Sequence, residues 1–169
     1  MIEQIICKAI EYDQGDPRRI QHFLKVHELS RTIGVLEGLQ GEALEILEIA
    51  AVLHDIGIHE SERKYQSSAG NYQEKEGPAV AEAILSDFSL QQNVLERVSF
   101  LIGHHHSYSQ IDGLDYQILV EADFLVNIHE DLLKEVQIRS INDKIFKTRW
   151  GKHFLQKMFL DNYLIDQQA

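Results

Sequence analysis

The stretch Glu42-Ala43-Leu44-Glu45-Ile46-Leu47-Glu48-Ile49-Ala50-Ala51-Val52-Leu53-His54-Asp55-Ile56-Gly57 decides the fold class. Leu47, Ala50, Ala51 and His54 follow the i, i+3, i+4, i+7 spacing that places side chains on one face of an α-helix. The spacing predicts a helix over about residues 43–54, stopped by Gly57. Ile49 to Leu53 is the longest uninterrupted apolar run in the chain, far below the ~20 residues of a membrane span.

The same period continues in both directions. Upstream, residues 2–12 read as a short first helix, and Asp16-Pro17 supplies an N-cap with proline at the first helical position. The helix it opens runs to about Leu36 and stops near Gly38 and Gly41. Downstream, residues 58–75 contain Ser67-Ser68-Ala69-Gly70-Asn71 and read as an irregular loop. Further helices fit about 76–87, 91–106, 115–130, 141–148 and 150–164. Strand alternation is scarce, and no repeat, low-complexity tract or linker interrupts the pattern. The expectation is an all-α, single-domain helical bundle over residues 1–169.

The helices share one irregularity. His54 interrupts an otherwise apolar face, His105 does the same beside Val98, Leu101 and Ile102, and Asp123 beside Leu119, Ala122 and Val126. His22 shares a face with Val26, Leu29 and Ile33. A lone histidine on such a face is ordinarily a hydrogen-bonded core imidazole. A lone carboxylate is harder to accommodate, because an ionised buried carboxylate costs several kcal/mol unless paired. A divalent cation would offset that cost and accept imidazole nitrogens. Two histidines with two aspartates, Asp55 following His54 directly, form an N/O donor set that suits Fe, Mn, Co, Ni or Zn.

With 16 basic and 27 acidic residues the net charge is −11, which argues against general nucleic-acid binding. Cys7 is the only cysteine, so no intramolecular disulfide can form, and a single thiol argues against a thiolate metal site. Met1-Ile2-Glu3-Gln4 lacks the basic region and apolar core of a secretory signal, and the expected location is cytoplasmic.

His54-Asp55-Ile56-Gly57 resembles the signature of the HD-domain phosphohydrolase superfamily. His22, four residues before Val26, is similar to that family's first metal histidine, which leaves His27 to helix packing or solvent. Ile118-Leu119-Val120-Glu121-Ala122-Asp123 resembles its final element, and the resemblance spans about residues 20–128, with 139–169 as a C-terminal helical extension. The resemblance implies a helical bundle around one divalent metal held by His22, His54, Asp55 and Asp123, with room for a second. In members with two metals an additional histidine opens the next helix before Gly-Pro. Here Glu76 precedes Gly77-Pro78, so Glu76 becomes a second ligand, an acid–base group or an ordinary first-turn acid. His104-His105-His106 resembles the other second-metal element, with His105 best placed and His104 beside it.

The implied reaction is attack of a metal-activated water on the phosphorus of a small phosphorylated metabolite; a nucleotide is expected on family habit. Arg19, within one turn of His22, and Lys64 are candidate phosphate contacts, each also readable as a solvated charge. A non-catalytic nucleotide sensor is the alternative, and a di-iron oxygenase a remoter one that Glu76 weakens. Lys144, Lys147, Arg149, Lys152 and Lys157 form either a lip over the site or a solvated face. Trp150, Phe154 and Met158 follow helical spacing and pack on the core or across a homo-oligomer interface.

Overall fold

In the computed structural model, which describes residues 1–161, the apolar stretch forms α3 (Glu42–Leu53). Ile46, Leu47 and every residue from Ile49 to Leu53 are buried. A helix enclosed on nearly every side belongs at the centre of a bundle rather than on its surface. Each such aliphatic side chain contributes ~1.5–3 kcal/mol when withdrawn from water, which makes α3 the axis on which the rest assembles.

α1 (Ile2–Tyr12) lays Ile5 and Ala9 against this axis. α2 (Pro17–Leu36) begins as its sequence requires: Asp16 accepts a hydrogen bond from the Arg19 amide at 3.1 Å, and Pro17 occupies the first turn. α6 (Gln92–Ile102) and α7 (Leu114–Glu130) complete the shell, with α2 packed on both α3 and α7. The apolar residues of these helices join one continuous core that includes Phe23, Val98, Leu101, Leu119 and Leu125. No strand occurs among the described residues, and no described helix is long and apolar enough to cross a membrane.

Several boundaries differ from expectation, among them the end of α6, which stops at Ile102 rather than near 106. The segment 58–75 is not an irregular loop: α4 (Ile58–Tyr65) follows the His-Asp turn, and α5 (Gly70–Leu85) starts six residues before the expected position at 76. α4 is polar and buries only Ile58 and Ser61, so its periodicity is weak. Pro78 lies inside α5, not near its start. The adjoining Gly77 allows backbone contact with Gly57, where an added Cβ would fall 2.6 Å from the Gly77 nitrogen and 2.7 Å from the Gln73 carbonyl. That close approach fixes α5 against the His-Asp turn. α8 (Glu135–Lys144) precedes the expected 141–148, because Gln137 accepts from the Lys134 amide at 3.0 Å and starts the helix there.

α9 (Arg149–Leu155) continues into a π-helical turn, Gln156–Leu160. Trp150 and Phe154 pack partly on the core, whereas Met158 is exposed. The part of the expected 150–164 helix beyond Asp161 lies outside the described residues.

Candidate metal centre

Three histidines converge with their rings held from behind. His22 on α2 donates from Nδ1 to Glu130 at 3.0 Å, His54 at the end of α3 donates from Nδ1 to the Ala51 carbonyl at 2.9 Å, and His105, just after α6, donates from Nδ1 to the Ile102 carbonyl at 2.8 Å. Each bond assigns the proton to Nδ1 and leaves the Nε2 lone pair facing inward. The inward atoms crowd together. His22 Nε2 lies 3.3 Å from His54 Nε2 and 3.2 Å from Asp123 Oδ1, and both imidazole nitrogens lie 3.5 Å from Asp55 Oδ2. His105 Nε2 lies 3.3 Å from Asp55 Oδ1 but forms no aligned hydrogen bond, and it is buried without a partner.

Imidazoles and carboxylates packed this closely call for positive charge at their centre, carried by protons on the imidazoles or by a cation. The electrostatics agree. Burial opposes protonation of His22, yet the bond to Asp123 and the charges of Asp55 and Asp123 outweigh it and raise its pKa to about 9. His54 is shifted upward against burial by the same carboxylates. Burial likewise disfavours ionised Asp55 and Asp123, but the imidazoles hold both well below the usual carboxylate range. The donor set fits a divalent cation: His22, His54 and Asp123 form one group with ligand atoms within 4.8 Å of one another, and Asp55, His105 and His106 form a second. Asp55 stands between them, one oxygen toward each.

The structure brings His22, His54, Asp55, Asp123 and His105 together and leaves three expected residues aside. Glu76 lies away from both groups; its carboxylate accepts from Tyr65 at 2.8 Å and from Lys64. With α5 starting at Gly70, Glu76 is inside the helix and faces α4, so it is neither a first-turn acid nor part of the cluster. Lys64 is therefore paired with Glu76 rather than turned to the site. His104 stacks on Phe100 at 4.2 Å and donates to the Phe100 carbonyl at 2.7 Å. It lines a different cavity, about 460 Å³ between α5 and α6, which does not reach the cluster. His27 pairs with Glu48 at 3.2 Å.

Arg19 does line a cavity beside the cluster, about 380 Å³, onto which His22 and Asp55 open. Its guanidinium is held by Glu62 at 2.6 Å, His59 Nδ1 at 3.0 Å and Asp16 at 3.3 Å. The basic residues Lys144, Lys147, Arg149, Lys152 and Lys157 are absent from the lining of this cavity.

Other neighbours of the cluster escaped sequence reasoning. Asn127 donates to Asp123 at 2.8 Å, and Glu130 supports His22; both fall on the helical face of Asp123, at i+4 and i+7, a spacing that could have revealed them. Gln73 sits 3.2 Å from His106 Nε2 and lines the same cavity as Asp55. Tyr108 places its hydroxyl 3.4 Å from His106 Nδ1; burial, then the charge of Asp123, pushes that phenol up to about 12. Neither residue carries a periodicity signal.

No curated protein matches the chain. Among solved structures it is similar to the crystal structure of a predicted HD superfamily hydrolase from an uncultured Thermotogales bacterium. The two are 23% identical with a TM-score of 0.67, over 92% of this chain and 83% of the other, a likeness of fold. The HD domain family model matches residues 19–147, which contain α2 from its third residue onward, α3 through α8 and every residue of the cluster, and the chain therefore belongs to the HD domain family.

Proposed function

We propose that the protein is a metal-dependent phosphohydrolase that cleaves the phosphate ester of a small metabolite. The observation that carries this reading is the inward convergence of three Nδ1-tethered imidazoles on Asp55 and Asp123. In this reading His22, His54 and Asp123, with Asp55 beside them, would hold one divalent cation, and Asp55, His105 and His106 could hold a second. A divalent cation held by these residues would supply a water of lowered pKa, from 15.7 to about 7, and would offset charge on the phosphoryl oxygens. The sulfur-free donor set favours Fe, Mn, Co, Ni or Zn.

The remaining work falls to the chain. Glu130 fixes the His22 tautomer and raises its basicity, and Asn127 restrains the Asp123 carboxylate. Arg18 and Arg19 bring the cavity its cationic donors, placed to meet phosphoryl oxygens as negative charge develops. Tyr108 remains a neutral hydroxyl at ordinary pH and restrains the His106 ring from Nδ1. We place the reaction in the cytoplasm, where the exposed thiol of Cys7 stays reduced. Similarity to a protein described as a hydrolase accords with this reading.

The test combines metal analysis of protein purified without added metals with hydrolysis of p-nitrophenyl phosphate under several divalent ions. His54→Ala and Asp55→Ala are expected to lose both bound metal and turnover while the helical circular dichroism signal survives. Full activity in either variant would defeat the assignment.

A further inference from the structure

The cavity of about 380 Å³ beside Asp55 is small for a ligand pocket, near the lower end of the roughly 300–1,000 Å³ range, and its lining departs from the usual apolar character. Four carboxylates, that of Asp55 among them, the amides of Gln73 and Asn127, and the guanidiniums of Arg18 and Arg19 make up most of it. Ile58 is the only aliphatic side chain of the lining among the described residues, and no Phe, Tyr or Trp ring belongs to it, the one aromatic ring being the His22 imidazole. Tyr108 and Phe124, an aromatic pair whose rings lie 5.2 Å apart, are outside it.

This chemistry discriminates between substrates. A nucleobase offers two π faces that proteins meet with aromatic rings, guanidinium planes or apolar side chains. Laid across this lining, such a face would strip water from carboxylates and amides and return no hydrogen bonds. A polyhydroxylated group does the reverse, since each hydroxyl both donates to a carboxylate and accepts from an amide or guanidinium. Arg19 is already held by Asp16, His59 and Glu62, so its hydrogen-bonding edge is fixed in place before a ligand arrives. The four carboxylates of the lining outnumber its two guanidiniums, and that excess of negative charge opposes a second or third phosphoryl group.

We propose that this cavity receives the polyhydroxyl portion of a sugar or polyol monophosphate, with its single phosphoryl group directed to Asp55. The proposal rests on the phosphohydrolase reading and names its substrate class. The reaction balances without a redox partner. A water oxygen forms a bond to phosphorus, the ester P–O bond breaks, and the ester oxygen takes a proton and leaves as the sugar hydroxyl, with inorganic phosphate as the other product.

Ribose 5-phosphate and the 5′-monophosphates of adenosine and uridine share a phosphate and a pentose and differ in the base, which makes them the probes of choice. They are compared on the full chain after metal loading, with p-nitrophenyl phosphate as the control ester. Ribose 5-phosphate is expected to exceed both nucleotides in kcat/KM by about tenfold or more, chiefly through KM, since sites built for hydroxyls reject partners that cannot satisfy them. In competition against p-nitrophenyl phosphate, free ribose is expected to inhibit at lower concentration than adenosine. A nucleotide cleaved as well as ribose 5-phosphate, or no cleavage of ribose 5-phosphate while the control ester turns over, overturns the substrate class and leaves the phosphohydrolase reading intact. Metal-loaded protein that cleaves none of them, the control included, removes the phosphohydrolase reading and this proposal together.

Discussion

Glu130 accepts from His22 Nδ1 at 3.0 Å with one oxygen and from Lys25 at 2.5 Å with the other, so a single side chain sets the tautomer and aim of the imidazole that faces Asp123. Carboxylates behind metal-binding histidines typically alter metal affinity 10–100-fold when removed. Glu130→Gln keeps the shape and removes the charge; it should weaken divalent-ion binding by about 10-fold or more, measured by titration with a competing chelator. Unchanged affinity would show that His22 is oriented by packing alone. The contrast between His22 and Glu130 also shows what could be read at this scale. His22, His54 and Asp123 stood out because each interrupts an apolar stripe, which costs free energy unless something compensates. Glu130 and Asn127 lie toward the end of α7, where polar residues provoke no question, and only their register with Asp123 relates them to the site. Glu76 misleads for another reason: an acid before Gly-Pro reads as the first turn of a helix, whereas α5 begins at Gly70, nearly two turns earlier.

At the scale of elements, the arrival of α9 depends on one carboxylate. Glu121, fully buried on α7, accepts from Gln117 at 2.7 Å, from the Lys147 amide at 2.5 Å and the Thr148 amide at 2.9 Å, and from the Thr148 hydroxyl. It gathers the amides of the segment between α8 and α9 that no helix satisfies. Glu121→Gln would turn one acceptor into a donor facing donors and should cost about 1–3 kcal/mol, read from the urea midpoint. Gly151→Ala tests the same joint sterically, since its Cβ would lie 1.8 Å from Glu121 Oε2; a loss of about 1–3 kcal/mol is expected from overpacking. Neither variant touches the metal cluster, so metal affinity should hold while stability falls. The central elements were legible because burial writes itself as apolar periodicity: α2, α3, α6 and α7 fall where their patterns place them, though α6 ends at Ile102 and the histidine triplet follows in a turn. α4 and α8 bury one or two residues each and leave no such record; their limits come from local hydrogen bonds and from packing against neighbours.

For the whole molecule, the cluster ties stability to both pH and metal. His22 is raised to about 9 in the folded, metal-free chain, against about 6.5 when exposed. A raised folded pKa means that the protonated imidazole contributes stability fully below about 6.5, and that this contribution disappears as pH climbs through about 9. Metal-free protein should therefore lose stability across that window. A bound cation needs the same imidazole unprotonated, so metal affinity should rise over the same interval as protons are released more readily. Binding to the folded state alone stabilises by RT ln(1 + [M]/Kd), about 2.7 kcal/mol at 100 times Kd. For a chain of 169 residues that corresponds to a Tm increase of roughly 5–10 °C. Melting curves from pH 6 to 9, with chelator and with saturating manganese or zinc, are expected to diverge as pH rises: the chelated series falls and the metal-loaded series holds. Parallel curves would mean that the convergent imidazoles and carboxylates stabilise the fold by their mutual hydrogen bonds, without a cation among them.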